Sequence, residues 1–144
     1  MTIPIEAFNT SILVGVGCTQ QELYDKIKEE YKFEAKDVLE DKKDEPQKKG
    51  GLGGFACIEN GFPIIWLADY PKDPDTIAIL AHESLHAASY LADKIGIEWD
   101  KDKSEEFYAY LVSHITRTVL QNYLESIRVP DSPLKRSKTA NIKK

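Results

Sequence analysis

The run Gly53-Gly-Phe-Ala-Cys-Ile58, then Glu59-Asn60-Gly61, then Phe62-Pro-Ile-Ile-Trp-Leu67 decides how the chain is read. Asn-Gly tolerates the left-handed backbone of a two-residue hairpin turn better than almost any other pair, and short apolar segments lie on both sides of it. The stretch predicts two antiparallel strands. Gly53 and Gly54 have no side chain to pack, so they suit either a sheet edge that another backbone approaches or a flexible turn over 50–54.

Downstream, Asp73 or Asp75 can cap a helix whose first turn tolerates Pro74. Ile77, Leu80, Ala81, Leu85, Ala88 and Leu91 recur at helical spacing up to Lys94, with Gly96 as a stop. A second helix is expected from near Asp102 or Ser104, through Phe107, Leu111, Ile115, Val119 and Leu124, to about Ile127, closed by Pro130 and Pro133. Upstream, Ser11–Cys18 reads as a strand. Thr19 and Glu22 form a capping box for a helix to about Tyr31. Residues 33–39 fit either helix or strand, and the charged stretch 40–50, with Pro46, reads as an exposed loop. There is no internal repeat. The expectation is an α+β domain over 1–129, with a small antiparallel or mixed sheet of three or four strands packed on two helices. A basic, flexible tail is expected over 130–144.

Composition bounds the function. The chain has 144 residues, 42% hydrophobic and 30% charged, enough for one core and too apolar for disorder throughout. No apolar run reaches bilayer length and residues 1–10 carry no signal pattern, so a soluble cytoplasmic protein without a membrane role is expected. The net charge of −5 divides into +5 over residues 128–144 and −10 over 1–127. An acidic body argues against nucleic acid as a partner, because phosphate contact needs Lys and Arg clustered on one face. Cys18 and Cys57 cannot make a disulfide scaffold and are expected as reduced, buried thiols in strands.

The first long helix contains His82-Glu83-Ser84-Leu85-His86, two of the three histidines one turn apart. Residues four apart share a helix face, so both imidazoles can ligate one ion, while Glu83 stays close enough to take a proton from water. Chance gives His-Glu-x-x-His on the order of 0.005 times in a chain of this composition. The ordinary alternative is a pair of structural histidines with satisfied hydrogen bonds. The apolar neighbours Ile79, Leu80, Ala81, Leu85, Ala87 and Ala88 predict a helix buried nearly all round, where such groups are costly without an ion. Zinc takes a third protein ligand and leaves its fourth position to water. Glu105, Glu106 and His114 are the candidates.

With these residues the chain resembles the gluzincin branch of the zincin metallopeptidases. Their third ligand is a glutamate in a Glu-x-x-Ala pattern on a following helix, and Glu106-Phe-Tyr-Ala109 matches it, with 19 residues between His86 and Glu106. In length and element order the chain is most similar to the minimal gluzincins and to small phage and bacterial His-Glu-x-x-His proteins. The likeness covers about residues 53–124, and residues 1–50 match no pattern. It implies a minimal zincin-like fold, Zn2+ held by His82, His86 and Glu106, and Glu83 as the base. It also implies that the strand over Gly54–Cys57 forms the rim of the cleft and pairs with an extended peptide or protein substrate. Tyr110 stands where many gluzincins carry an acidic residue. Tyr108, Tyr110, His114 and Arg117 are candidate donors to the oxyanion, with Tyr110 and His114 preferred. Tyr108 and Tyr110 are each read alternatively as core residues with a bonded tip, and Trp66 and Trp99 as packing. The expected function is a zinc metallopeptidase. The alternative is a non-catalytic zinc-binding protein on the same scaffold, such as a phage protein that binds a host partner. Opposite charge makes docking of the basic tail on the acidic body a further expectation.

Overall fold

The structure, a computed structural model, describes residues 1–40 and 50–128; most of the charged loop and the basic tail, with the expectations placed on them, lie outside the described residues. In chain order the elements are β1 (Thr2–Ile5), β2 (Thr10–Val16), α1 (Gln20–Tyr31), α2 (Asp37–Glu40), β3 (Gly54–Glu59), β4 (Phe62–Leu67), α3 (Pro74–Lys94) and α4 (Glu105–Ile127), with a 3-10 turn at Glu6–Phe8. This is the expected α+β class, built on one four-stranded mixed sheet.

The sheet order is β1-β2-β4-β3, with β2 parallel to β4 and the other pairs antiparallel. The β3–β4 hairpin closes as its sequence predicts: Asn60 and Gly61 both have positive φ, 49° and 78°, and Glu59 faces Phe62. β4 lies between two strands and has helices on both faces, so its apolar run is continuous rather than alternating. Pro63 is tolerated in this central strand for a local reason. Alternation from the turn gives Ile58–Pro63 no ladder bond, and the pairing with β2 begins only at Ile64.

One face of the sheet packs Ile12, Val14, Ile65 and Leu67 against Leu80, Ala87, Ala88 and Leu91 of α3 and Leu111, Ile115 and Val119 of α4. The opposite face packs Leu13, Ile64, Trp66 and Phe55 against Leu23 and Ile27 of α1 and Ala35 and Val38 beyond it. The buried Trp66 indole donates from Nε1 to the Cys18 carbonyl at 2.8 Å, which leaves no polar atom orphaned there. Thr19 caps α1 in the expected box: its hydroxyl accepts from the Glu22 amide, and its own amide donates to the Glu22 carboxylate.

Three expectations need correction. β1 was not anticipated; Ile3 and Ile5 point inward from it and Pro4 outward. The cysteines are half-buried rather than buried, and Cys18 lies beyond the end of β2 rather than in a strand. α3 is not buried nearly all round. It buries one stripe, Thr76, Leu80, Glu83, Ser84, Ala87, Ala88, Leu91 and Ala92, and exposes His82, Leu85 and His86. Among the described residues no helix is long and apolar enough to cross a membrane.

Candidate metal centre

α3 begins at Asp73, whose carboxylate accepts from the Thr76 amide at 2.9 Å while the Thr76 hydroxyl accepts from the Asp73 amide. These contacts, led by the backbone bond, hold the Asp73 carboxyl below the usual aspartate range. At the other end, Lys94 donates to the Gly61 carbonyl at 2.8 Å and to the Thr10 hydroxyl at 3.3 Å. The helix is thus tied to the hairpin turn.

Ile79, His82, His86 and Tyr90 are spaced i, i+3, i+7 and i+11 and make one line along α3. Both ends of this line touch β3. A Cβ on Gly54 would stand 2.8 Å from Ile79 Cγ2 and 3.0 Å from the Trp66 carbonyl oxygen, so only glycine lets helix and strand approach this closely. Gly54 therefore belongs to β3 and not to a flexible turn, and what crowds it is the Ile79 side chain of α3 and the neighbouring strand β4. At the far end the Tyr90 hydroxyl donates to the Ala56 carbonyl at 3.3 Å. The two histidines therefore lie on the stretch of α3 that runs beside β3, and β3 is an edge strand as expected.

His82 Nε2 and His86 Nε2 stand 3.1 Å apart, with the rings 4.8 Å between centroids and 75° between planes. Two nitrogens bound to one zinc ion at about 2.0–2.1 Å in tetrahedral geometry are held about 3.3 Å apart, so this donor pair fits the metal with little adjustment. The same separation suits a hydrogen bond from one imidazole to the other. Glu83, next to His82, is turned inward and is 7% exposed.

The third ligand is not gathered with the pair. Among the described residues no three His, Cys, Asp or Glu side chains come together to hold an ion. The contact between α3 and α4 explains why. Ser84, fully buried, accepts from the Thr116 hydroxyl at 3.2 Å. Each histidine is two residues from Ser84, about 160° round the helix, so α4 packs on the side of α3 away from the imidazoles. Glu106 lies ten residues before Thr116 on exposed helix surface, about 15 Å along the axis from that contact, and Glu105 lies one residue further.

Of the other candidates, His114 is near the level of the pair but on α4, with its ring stacked on Tyr110 at 6.0 Å and 9°. Tyr110 is 65% exposed and so is not a core residue. Tyr108 is the buried tyrosine with a bonded tip: its hydroxyl donates to the Ile97 carbonyl, and burial raises its pKa. Arg117 is exposed. Trp66 is core, whereas Trp99 is 59% exposed and packs edge-on against Tyr108. Tyr90 was not singled out from sequence, although counting one further turn past His86 reaches it.

Compared with protein-family models, curated proteins and solved structures, the chain finds no match in any of the three.

Proposed function

We propose that the protein is a zinc-dependent metallopeptidase that hydrolyses peptide bonds of an extended peptide or protein substrate. The observation that carries this reading is the 3.1 Å convergence of His82 Nε2 and His86 Nε2 on the helix that also carries Glu83. Zinc, when bound, supplies Lewis-acid polarisation of a carbonyl and acidifies water. His82 and His86 hold the ion, and their spacing is set by one turn of a helix fixed at both ends. Glu83 takes the proton of the attacking water and returns it to the leaving amine. β3, which no strand flanks on its outer side among the described residues, offers backbone groups that orient a peptide without reading its sequence. Glu106 remains the proposed third ligand on its Glu-x-x-Ala spacing, and this role requires the start of α4 to swing toward the pair.

One observation favours a second reading. With Glu106 about 15 Å along α4 from the level of the pair, the chain can hold zinc through two imidazoles without assembling a hydrolytic site. That is a non-catalytic zinc-binding protein on a zincin-like scaffold. Zinc analysis together with digestion of an unfolded protein by wild type and Glu83→Gln separates the two. One zinc per chain with turnover abolished in Glu83→Gln supports the peptidase, whereas zinc without turnover in either supports the binding protein. Protein that takes up no zinc on reconstitution rules out both.

A further inference from the structure

We propose that Tyr90 is a displaceable cap on the substrate edge, occupying the Ala56 carbonyl until an extended peptide pairs along β3 and replaces it. The inference rests on the peptidase reading for the identity of the incoming chain. Its geometry starts from the hairpin register. Glu59–Phe62 closes a two-residue turn, so ladder bonds to β4 are made by Glu59, Cys57 and Phe55, and the alternate residues Gly54, Ala56 and Ile58 direct their backbone groups outward. The Ala68 amide donating to the Gly53 carbonyl at 2.9 Å continues the same alternation. Ala56 is therefore the middle outward-facing position of a strand that no other strand flanks on that side among the described residues.

The Tyr90 hydroxyl sits on this carbonyl. It comes from the turn of α3 after His86, on the same line as both imidazoles. A backbone amide added to the edge at Ala56 competes with the phenol for this carbonyl. The 3.3 Å separation is long for an O–H···O bond, and an amide in strand geometry makes a better one, so the exchange favours the peptide. The cap also answers a hazard of the fold: an edge strand open along its whole length invites pairing with other chains, and a weak intramolecular donor blunts it.

The test measures binding apart from turnover, in the zinc-loaded Glu83→Gln protein. The probe is fluorescein-labelled casein, reduced and alkylated so that it stays unfolded, followed by fluorescence polarisation. Adding Tyr90→Phe keeps the ring and removes the competing hydroxyl, and thermal melting checks that the fold is kept. Binding is expected to tighten about two- to fivefold, the range of one weak hydrogen bond. In the protein with Glu83 intact, the change should fall on KM rather than kcat. Unchanged or weaker binding, no binding by either variant, or a loss confined to kcat overturns the proposal. The two inferences fail separately. Zinc and turnover with no effect of Tyr90→Phe leave the peptidase standing and remove the cap. Tighter binding in a protein without zinc or turnover leaves the cap and removes the peptidase.

Discussion

Ile79 Cγ2 lies 2.8 Å from the position that a Cβ on Gly54 would occupy, so the missing side chain of one residue is filled by the branch of the other. Gly54→Ala is expected to cost about 1–3 kcal/mol by overpacking, because the Trp66 carbonyl on the other side cannot move aside. Ile79→Ala in the same chain should recover part of the loss. Denaturant melts of the double-mutant cycle would show a coupling above about 0.5 kcal/mol, and purely additive effects would refute the contact.

The imidazole pair and Glu83 should separate cleanly in metal and rate measurements. His82→Ala and His86→Ala are expected to lose zinc. Glu83→Gln should keep it while turnover falls by at least about 100-fold, the usual weight of a positioned base. Zinc retained in both histidine variants would mean that the 3.1 Å approach is a hydrogen bond between rings and nothing more.

Glu106→Gln discriminates the two functional readings. If the start of α4 closes on the pair, zinc affinity drops by about tenfold or more, the scale seen when a metal's immediate surroundings are disturbed. Glu105→Gln and His114→Ala serve as comparisons and should leave it unchanged. Isothermal titration with zinc reads all three. Equal affinities across the set would assign the ion to the histidines alone.

The cap of α3 makes stability depend on acid in a defined direction. The Asp73 carboxyl titrates below its ordinary value of 3.8 because the Thr76 amide and hydroxyl favour its charged form. A carboxyl lowered on folding contributes stability that is present above the unfolded pKa and lost as pH falls through the folded one. Asp73→Ala should therefore lower Tm at neutral pH, and the difference from wild type should shrink as the pH is brought below 3.8. A difference independent of pH would point to packing instead of the cap.

How far the sequence reveals all this varies by element. The hairpin, both long helices and the Thr19 box are legible because each rests on contacts between near neighbours: a turn pair, an i+3 cap, an apolar stripe. β1 escaped because Pro4 interrupts its short run: a proline fits a strand only where no ladder bond is asked of it, as at this sheet edge or at Pro63, and the local sequence does not tell where that is. The exposure of His82 and His86 escaped because alanines fill several faces of α3, and alanine does not report which side meets the core. The position of Glu106 escaped for a geometric reason. Nineteen residues separate it from His86, but α3 continues eight residues past His86 to Lys94 and the connection takes up the next ten. How such a spacer divides between helix and loop decides whether the following helix returns to the pair, and residue counting is blind to that division.

The parallel pairing of β2 with β4 has a kinetic consequence. The hairpin, its edge and the histidine helix form one contiguous stretch from Gly54 to Lys94, whereas Leu13 meets Ile64 across 51 positions of chain. Closing that long loop costs entropy before any ladder bond is gained, while the hairpin pays almost none. The face that presents the imidazoles can thus take shape early and wait for β2, so substitutions in the hairpin turn should slow refolding, whereas equally destabilising ones in β2 should mainly speed unfolding.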